Sequence, residues 1–164
     1  MILDKVIPKP QVYRNIIRSF VMQKIRLRSD IYKTSTILYL IHLYNKFIFD
    51  GLLDGLIFRV KWNNCFSHWA ADCSGENNTI TVRFSTKVFS DNIIDVMGYK
   101  ATHLSKLEIF MLVLEHEIVH GITQIYFPRR YVSKRKGADE THNYYFMRTV
   151  HRLFGHTSHE VTVD

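Results

Sequence analysis

The sequence predicts an α+β domain in which a helical half carries the chemistry and a small antiparallel sheet lies beside it. Three observations lead there. Two segments, residues 56–62 and 79–84, alternate apolar and polar side chains as half-buried strands do. Residues 105–127 open on a helix-capping pattern and then turn too apolar for a surface helix. Two further stretches, 11–28 and 34–49, show helical spacing. A chain of 164 residues that is 46% hydrophobic can bury one core and is short for two. With 23% charged and 13% aromatic residues it is neither disordered throughout nor collagen-like. Its longest apolar runs, 37–41 and 109–114, fall far short of the roughly 20 residues that span a bilayer.

Taken in order, residues 11–28 read as a basic amphipathic helix. Val12, Ile16, Phe20 and Ile25 form its apolar stripe, with Arg14, Arg18, Lys24, Arg26 and Arg28 between them. A second helix starts from Thr34 or Ser35 as N-cap. It runs through Ile37, Leu40, Ile41, Tyr44, Phe47 and Ile48 to a stop at Asp50-Gly51. Leu56, Phe58, Val60 and Trp62 then form one face of a strand, and Ile80, Val82 and Phe84 one face of another. Ser74-Gly75-Glu76-Asn77-Asn78 is turn chemistry, so a third strand is expected near residues 66–73. Ser105 and Glu108 make a capping box for a central helix that Pro128 bounds. Asp139 is the expected cap of a last helix carrying His142, Phe146, Val150 and Leu153 and ending at Gly155. A short strand is expected at 160–163.

The net charge is +7, and most of the excess is N-terminal: residues 1–33 hold eight Lys/Arg against two Asp. A second basic cluster, Arg129, Arg130, Lys134, Arg135 and Lys136, lies beside Tyr131. Such clusters attract polyanions, so nucleic acid is a candidate partner, and a solvated loop is the plain alternative. Residues 1–10 carry charges and two prolines without an apolar stretch, so no signal peptide is expected. Only Cys65 and Cys73 are present, which leaves no disulfide framework. The expected address is therefore intracellular, nucleus or cytoplasm, without secretion or membrane attachment.

His116-Glu117-Ile118-Val119-His120 lies on the central helix and is the most informative stretch. Histidines four apart on a helix share a face and can bind one Zn²⁺, while the glutamate beside the first can reach a water on the metal. A catalytic zinc takes a third protein ligand and keeps one position open. His142 is chosen, because Phe146 one turn later would anchor its helix in the core. Glu140, His103, His151 and His156 are the competitors.

These residues resemble the SprT-like zinc metallopeptidases, a family that includes the Spartan proteases of DNA–protein crosslink repair. The likeness runs over residues 36–164. Tyr44 to Leu53, with its Asp50-Gly51 step, looks like the family's helix end, and Val60-Lys61-Trp62 and Ile80 to Ser85 resemble its strands. Ala70-Ala71-Asp72-Cys73 is similar to its Ala-Gly-x-Cys block, and His142-Asn143-Tyr144-Tyr145-Phe146 to its third-ligand motif His-Gly-x-x-Phe. Ala71 and Asn143 stand where the family has glycines, residues 90–105 form a longer stretch, and no cysteines follow the metal motif to build a zinc ribbon. The resemblance implies a zincin-like metallopeptidase domain at 34–164 preceded by a basic extension at 1–33. It further implies Zn²⁺ held by His116, His120 and His142, Glu117 as general base, and a protein substrate bound or crosslinked to DNA. Tyr126, Tyr131 and His103 are candidates for assisting the oxyanion. Two other readings remain: a DNA-binding module with structural zinc and no proteolysis, and a general intracellular zinc protease indifferent to DNA.

Overall fold

The computed structural model describes residues 5–26, 28–64, 70–89, 106–128 and 142–156. Its helices are α1 (Pro10–Met22), α2 (Thr34–Phe47), α3 (Lys106–Tyr126) and α4 (Tyr144–Phe154), and its strands are β1 (Ile57–Asn63), β2 (Ala71–Glu76) and β3 (Thr79–Ser85). The architecture is α+β, as the sequence predicts. α3 is apolar all round because it is covered all round: Leu107, Phe110, Leu114, Ile118 and Ile122 are almost wholly removed from water. It packs on β2 and β3 on one side and meets α4 on another.

The strand order is β1-β3-β2. β2 and β3 are antiparallel, while β1 and β3 are parallel, so the sheet is mixed and not antiparallel throughout as expected. The cause is local. Asn77 and Asn78 both take positive φ, 48° and 59°, the conformation that closes a tight hairpin between β2 and β3. The chain reaches β3 from β1 through β2, so β1 and β3 point the same way. On β3, Ile80, Val82 and Phe84 are fully buried, and β1 alternates exposed Ile57, Arg59 and Lys61 with half-buried Phe58, Val60 and Trp62. Trp62, Phe84, Phe89 and Phe110 form an aromatic cluster whose tightest contact is Phe84 to Phe110, 4.7 Å between centroids.

Four local expectations are corrected. The third strand is 71–76 rather than 66–73, so Ser74, Gly75 and Glu76 pair along β3 instead of turning. Glycine at 75 is what the strand needs, because a Cβ there would come within 2.6 Å of the Gly121 carbonyl oxygen. α1 ends at Met22 and not at 28, and it turns Arg14, Ile17 and Val21 inward and leaves Val12, Ile16 and Phe20 partly exposed, since α3 offers Arg14 a buried carboxylate. α2 begins after Lys33 without a side-chain cap; a 3₁₀ turn over Arg28–Tyr32 leads into it, and the Thr36 hydroxyl donates to the Asp30 carbonyl at 2.6 Å. The cap of α4 is Asn143, not Asp139: its side-chain oxygen accepts from the backbone N–H of Tyr145 (3.0 Å) and Phe146 (3.1 Å). The expected stops hold, with Asp50-Gly51 and Gly155 all at positive φ. Residues 105, 139 and 160–163 lie outside the described residues; Glu108 accepts from Gln11 and Arg18.

The helical half is tied together by one buried carboxylate. Glu115, fully removed from water, accepts from Arg14 Nε at 2.8 Å and Nη2 at 2.6 Å. It also accepts from the Tyr44 hydroxyl at 2.9 Å and faces His156 Nε2 at 2.8 Å. Arg14 Nη2 donates in addition to the Phe154 carbonyl, at the end of α4. Burial works against the Glu115 charge, but His156 and Arg14 outweigh it and hold the carboxyl below its ordinary value. Arg14→Ala would leave that charge short of its main partner and is expected to cost about 3–5 kcal/mol in chemical denaturation. Arg14→Met combined with Glu115→Leu should cost less than the sum of the two single changes.

Candidate metal centre

His116 and His120 stand one turn apart on α3, and His142 sits immediately before the cap of α4. α3 supplies two imidazoles because its backbone is regular there, and the Asn143 cap fixes where α4 starts and so delivers the third. The three Nε2 atoms converge on one point: 2.9 Å from His116 to His142, 3.0 Å from His120 to His116, and 3.1 Å from His120 to His142. A triangle of like nitrogens cannot be satisfied by shared protons, since each neutral imidazole has one N–H and one lone pair. A cation facing three lone pairs satisfies all of them. Tetrahedral zinc with bonds of about 2.0–2.1 Å holds its nitrogens about 3.3 Å apart, close to this spacing. The donor set therefore fits a mononuclear metal such as Zn²⁺, with His116 and His120 buried and His142 half-buried.

The two competing ligands among the described residues are elsewhere. His156 faces Glu115, and His151 is exposed on α4. Glu140 and His103 lie outside the described residues, as do Tyr131 and the cluster Arg129, Arg130, Lys134, Arg135 and Lys136. The Tyr126 hydroxyl donates to the Leu52 carbonyl at 3.1 Å.

Glu117 points to a different environment from Glu115. It is 6% exposed, and burial, with a smaller contribution from the Asp72 charge, pushes its carboxyl up to about 8. Asp72 on β2 is held by Arg83 on β3 through two bonds, 2.6 and 2.7 Å. The Cys73 thiol is pushed well above its ordinary value by burial and by the charges of Glu117 and Asp72. Sequence reasoning passed over Asp72 and Glu115 as functional neighbours. A signal existed for each: Asp72 and Arg83 are opposite charges directly across from one another, and Glu115 is an acid inside an apolar helix.

Fold and site together define a zincin-like α+β domain with a three-histidine metal-binding cluster, consistent with a metalloenzyme. Comparison with protein-family models, curated proteins and solved structures finds no match to this chain. Among the described residues no helix is long and apolar enough to cross a membrane.

In the metal-stripped protein the raised pKa of Glu117 has a definite sign. A carboxyl at about 8 when folded and near 4.5 when unfolded binds its proton more tightly in the native state. Stability is then lost as pH rises from about 4.5 through 8, on the order of a few kcal/mol. Denaturation of the stripped protein across that range should show the decline, and Glu117→Gln should flatten it.

Proposed function

We propose that the protein is a zinc-dependent endopeptidase acting on proteins bound or crosslinked to DNA. The observation that carries the peptidase reading is the convergence of the His116, His120 and His142 Nε2 atoms with a buried Glu117 on the same helix as the first two. A zinc ion on these three nitrogens would supply Lewis acidity, polarising a scissile carbonyl and acidifying water. Glu117 takes a proton from the attacking water as the new C–O bond forms, and gives it to the leaving amine as the C–N bond breaks. β2 packs on the ligand-bearing helix, whose Gln124 side chain bonds the outward-facing Gly75 N–H and Cys73 carbonyl of that strand. In this reading residues 34–164 form the peptidase domain and residues 1–33 an extension whose Arg14 braces α3.

Glu117→Gln should retain about one zinc per chain and the native fold while losing on the order of 10²-fold or more in proteolysis. His142→Ala should lose the metal. Zinc analysis and cleavage of an unstructured protein check both, and full activity in Glu117→Gln would sink the mechanism.

The DNA-linked substrate is supported by the net charge of +7 and by Arg129, Arg130, Lys134, Arg135 and Lys136, which His120 and His142 bracket in sequence. Neutralising the five should weaken DNA binding and make its salt dependence shallower by up to about 0.9 for each duplex phosphate no longer neutralised. Cleavage of a DNA-bound protein should fall far more than cleavage of a free one. An equal response would favour a general protease, and DNA binding without any cleavage would favour a binding module with structural zinc.

A further inference from the structure

We infer that Phe146 is a positioning residue of the metal centre, a flat wall that sets the orientation of all three imidazoles. The inference rests on the metal-binding reading above and deepens it. Phe146 is 1% exposed. Its ring lies parallel to His120, 4.0 Å between centroids and 14° between planes. It meets His116 edge-on at 4.9 Å and 67°, and His142 edge-on at 5.1 Å and 75°. One apolar side chain thus touches every nitrogen-bearing ring of the cluster.

Contact of this kind acts on a specific weakness of histidine. The second side-chain torsion of an imidazole is broad and roughly two-fold, so a helix fixes where the ring is attached but not which nitrogen it presents or at what tilt. A stacked ring fixes the tilt of His120, and edge contacts restrict the tilts of His116 and His142. The backbone of Phe146 is itself held, because its N–H donates to the Asn143 side chain that caps α4. The same cap follows His142 directly, so the third ligand and the wall against which the other two rest are placed by one local motif. Preorganised donors bind metal without first being ordered.

Phe146→Leu keeps an apolar group and most of the volume but removes the flat face. The expected result is a folded protein, with unchanged far-UV circular dichroism and cooperative unfolding, that binds Zn²⁺ about 10- to 100-fold more weakly in competition with a chromophoric chelator. Loaded with Co²⁺, it should show ligand-field absorption altered in position or intensity. Phe84→Leu, a fully buried ring of the sheet, is the control: stability falls while zinc affinity and the cobalt spectrum stay as in the wild type. If Phe146→Leu behaves like Phe84→Leu, the inference is overturned. Should Phe146→Leu not fold, Phe146→Met is read in the same way. Failure of both to fold assigns Phe146 to the core alone, which also overturns it. A wild-type protein that binds neither zinc nor cobalt would instead refute the metal-binding reading itself.

Discussion

Glu115 is a negative charge in the middle of the most deeply buried helix, the one that also carries two of the three clustered histidines. Arg14 reaches that charge from α1, Tyr44 from α2, and His156 from just beyond α4. An uncompensated charge at that depth would be costly enough to threaten the fold, so these groups must converge on one point. Their convergence fixes α3 against the other helices. It also explains why α1 buries an arginine while leaving Val12, Ile16 and Phe20 partly exposed.

Positions 115, 116 and 117 show how one turn of helix serves three environments. Successive side chains are rotated by about 100°, so Glu115 and Glu117 diverge by about 200° around α3. Glu115 enters a nest of cationic and hydroxyl donors and is held ionised. In the metal-stripped protein, burial and the nearby Asp72 charge instead push the Glu117 carboxyl up. His116, between them, turns toward His120 and His142. Identical carboxyl chemistry two residues apart is thus given opposite proton affinities by its surroundings.

The spacing of His116 and His120 was legible because a regular helix converts sequence distance into a direction in space, and nothing distant is needed for that step. His142 was legible as a ligand for a weaker reason, the order of its motif relative to Phe146. Its actual placement depends on Asn143, which caps α4 where Asp139 was expected. Competing cap residues a few positions apart are all chemically able, and only the packing of the helix decides which is used. The sheet misled in the same way. Ser74-Gly75-Glu76 has the composition of a turn, yet it lies in β2 because α3 presses against it at Gly121 and no larger residue would fit at 75.

Local chemistry, then, determined what is governed by neighbours along the chain: the α+β class, the alternation of β1 and β3, the stops at Gly51 and Gly155, and two imidazoles on one helical face. Tertiary structure decided what depends on groups far apart in sequence. It chose the buried face of α1, the parallel pairing of β1 with β3, the opposite proton affinities of Glu115 and Glu117, and the meeting of His142 with the other two histidines. The physical reason is that a helix or strand period sets the direction of a side chain from a few residues. The cost of burying a charge or closing a triangle of nitrogens, in contrast, is settled only when remote segments arrive together.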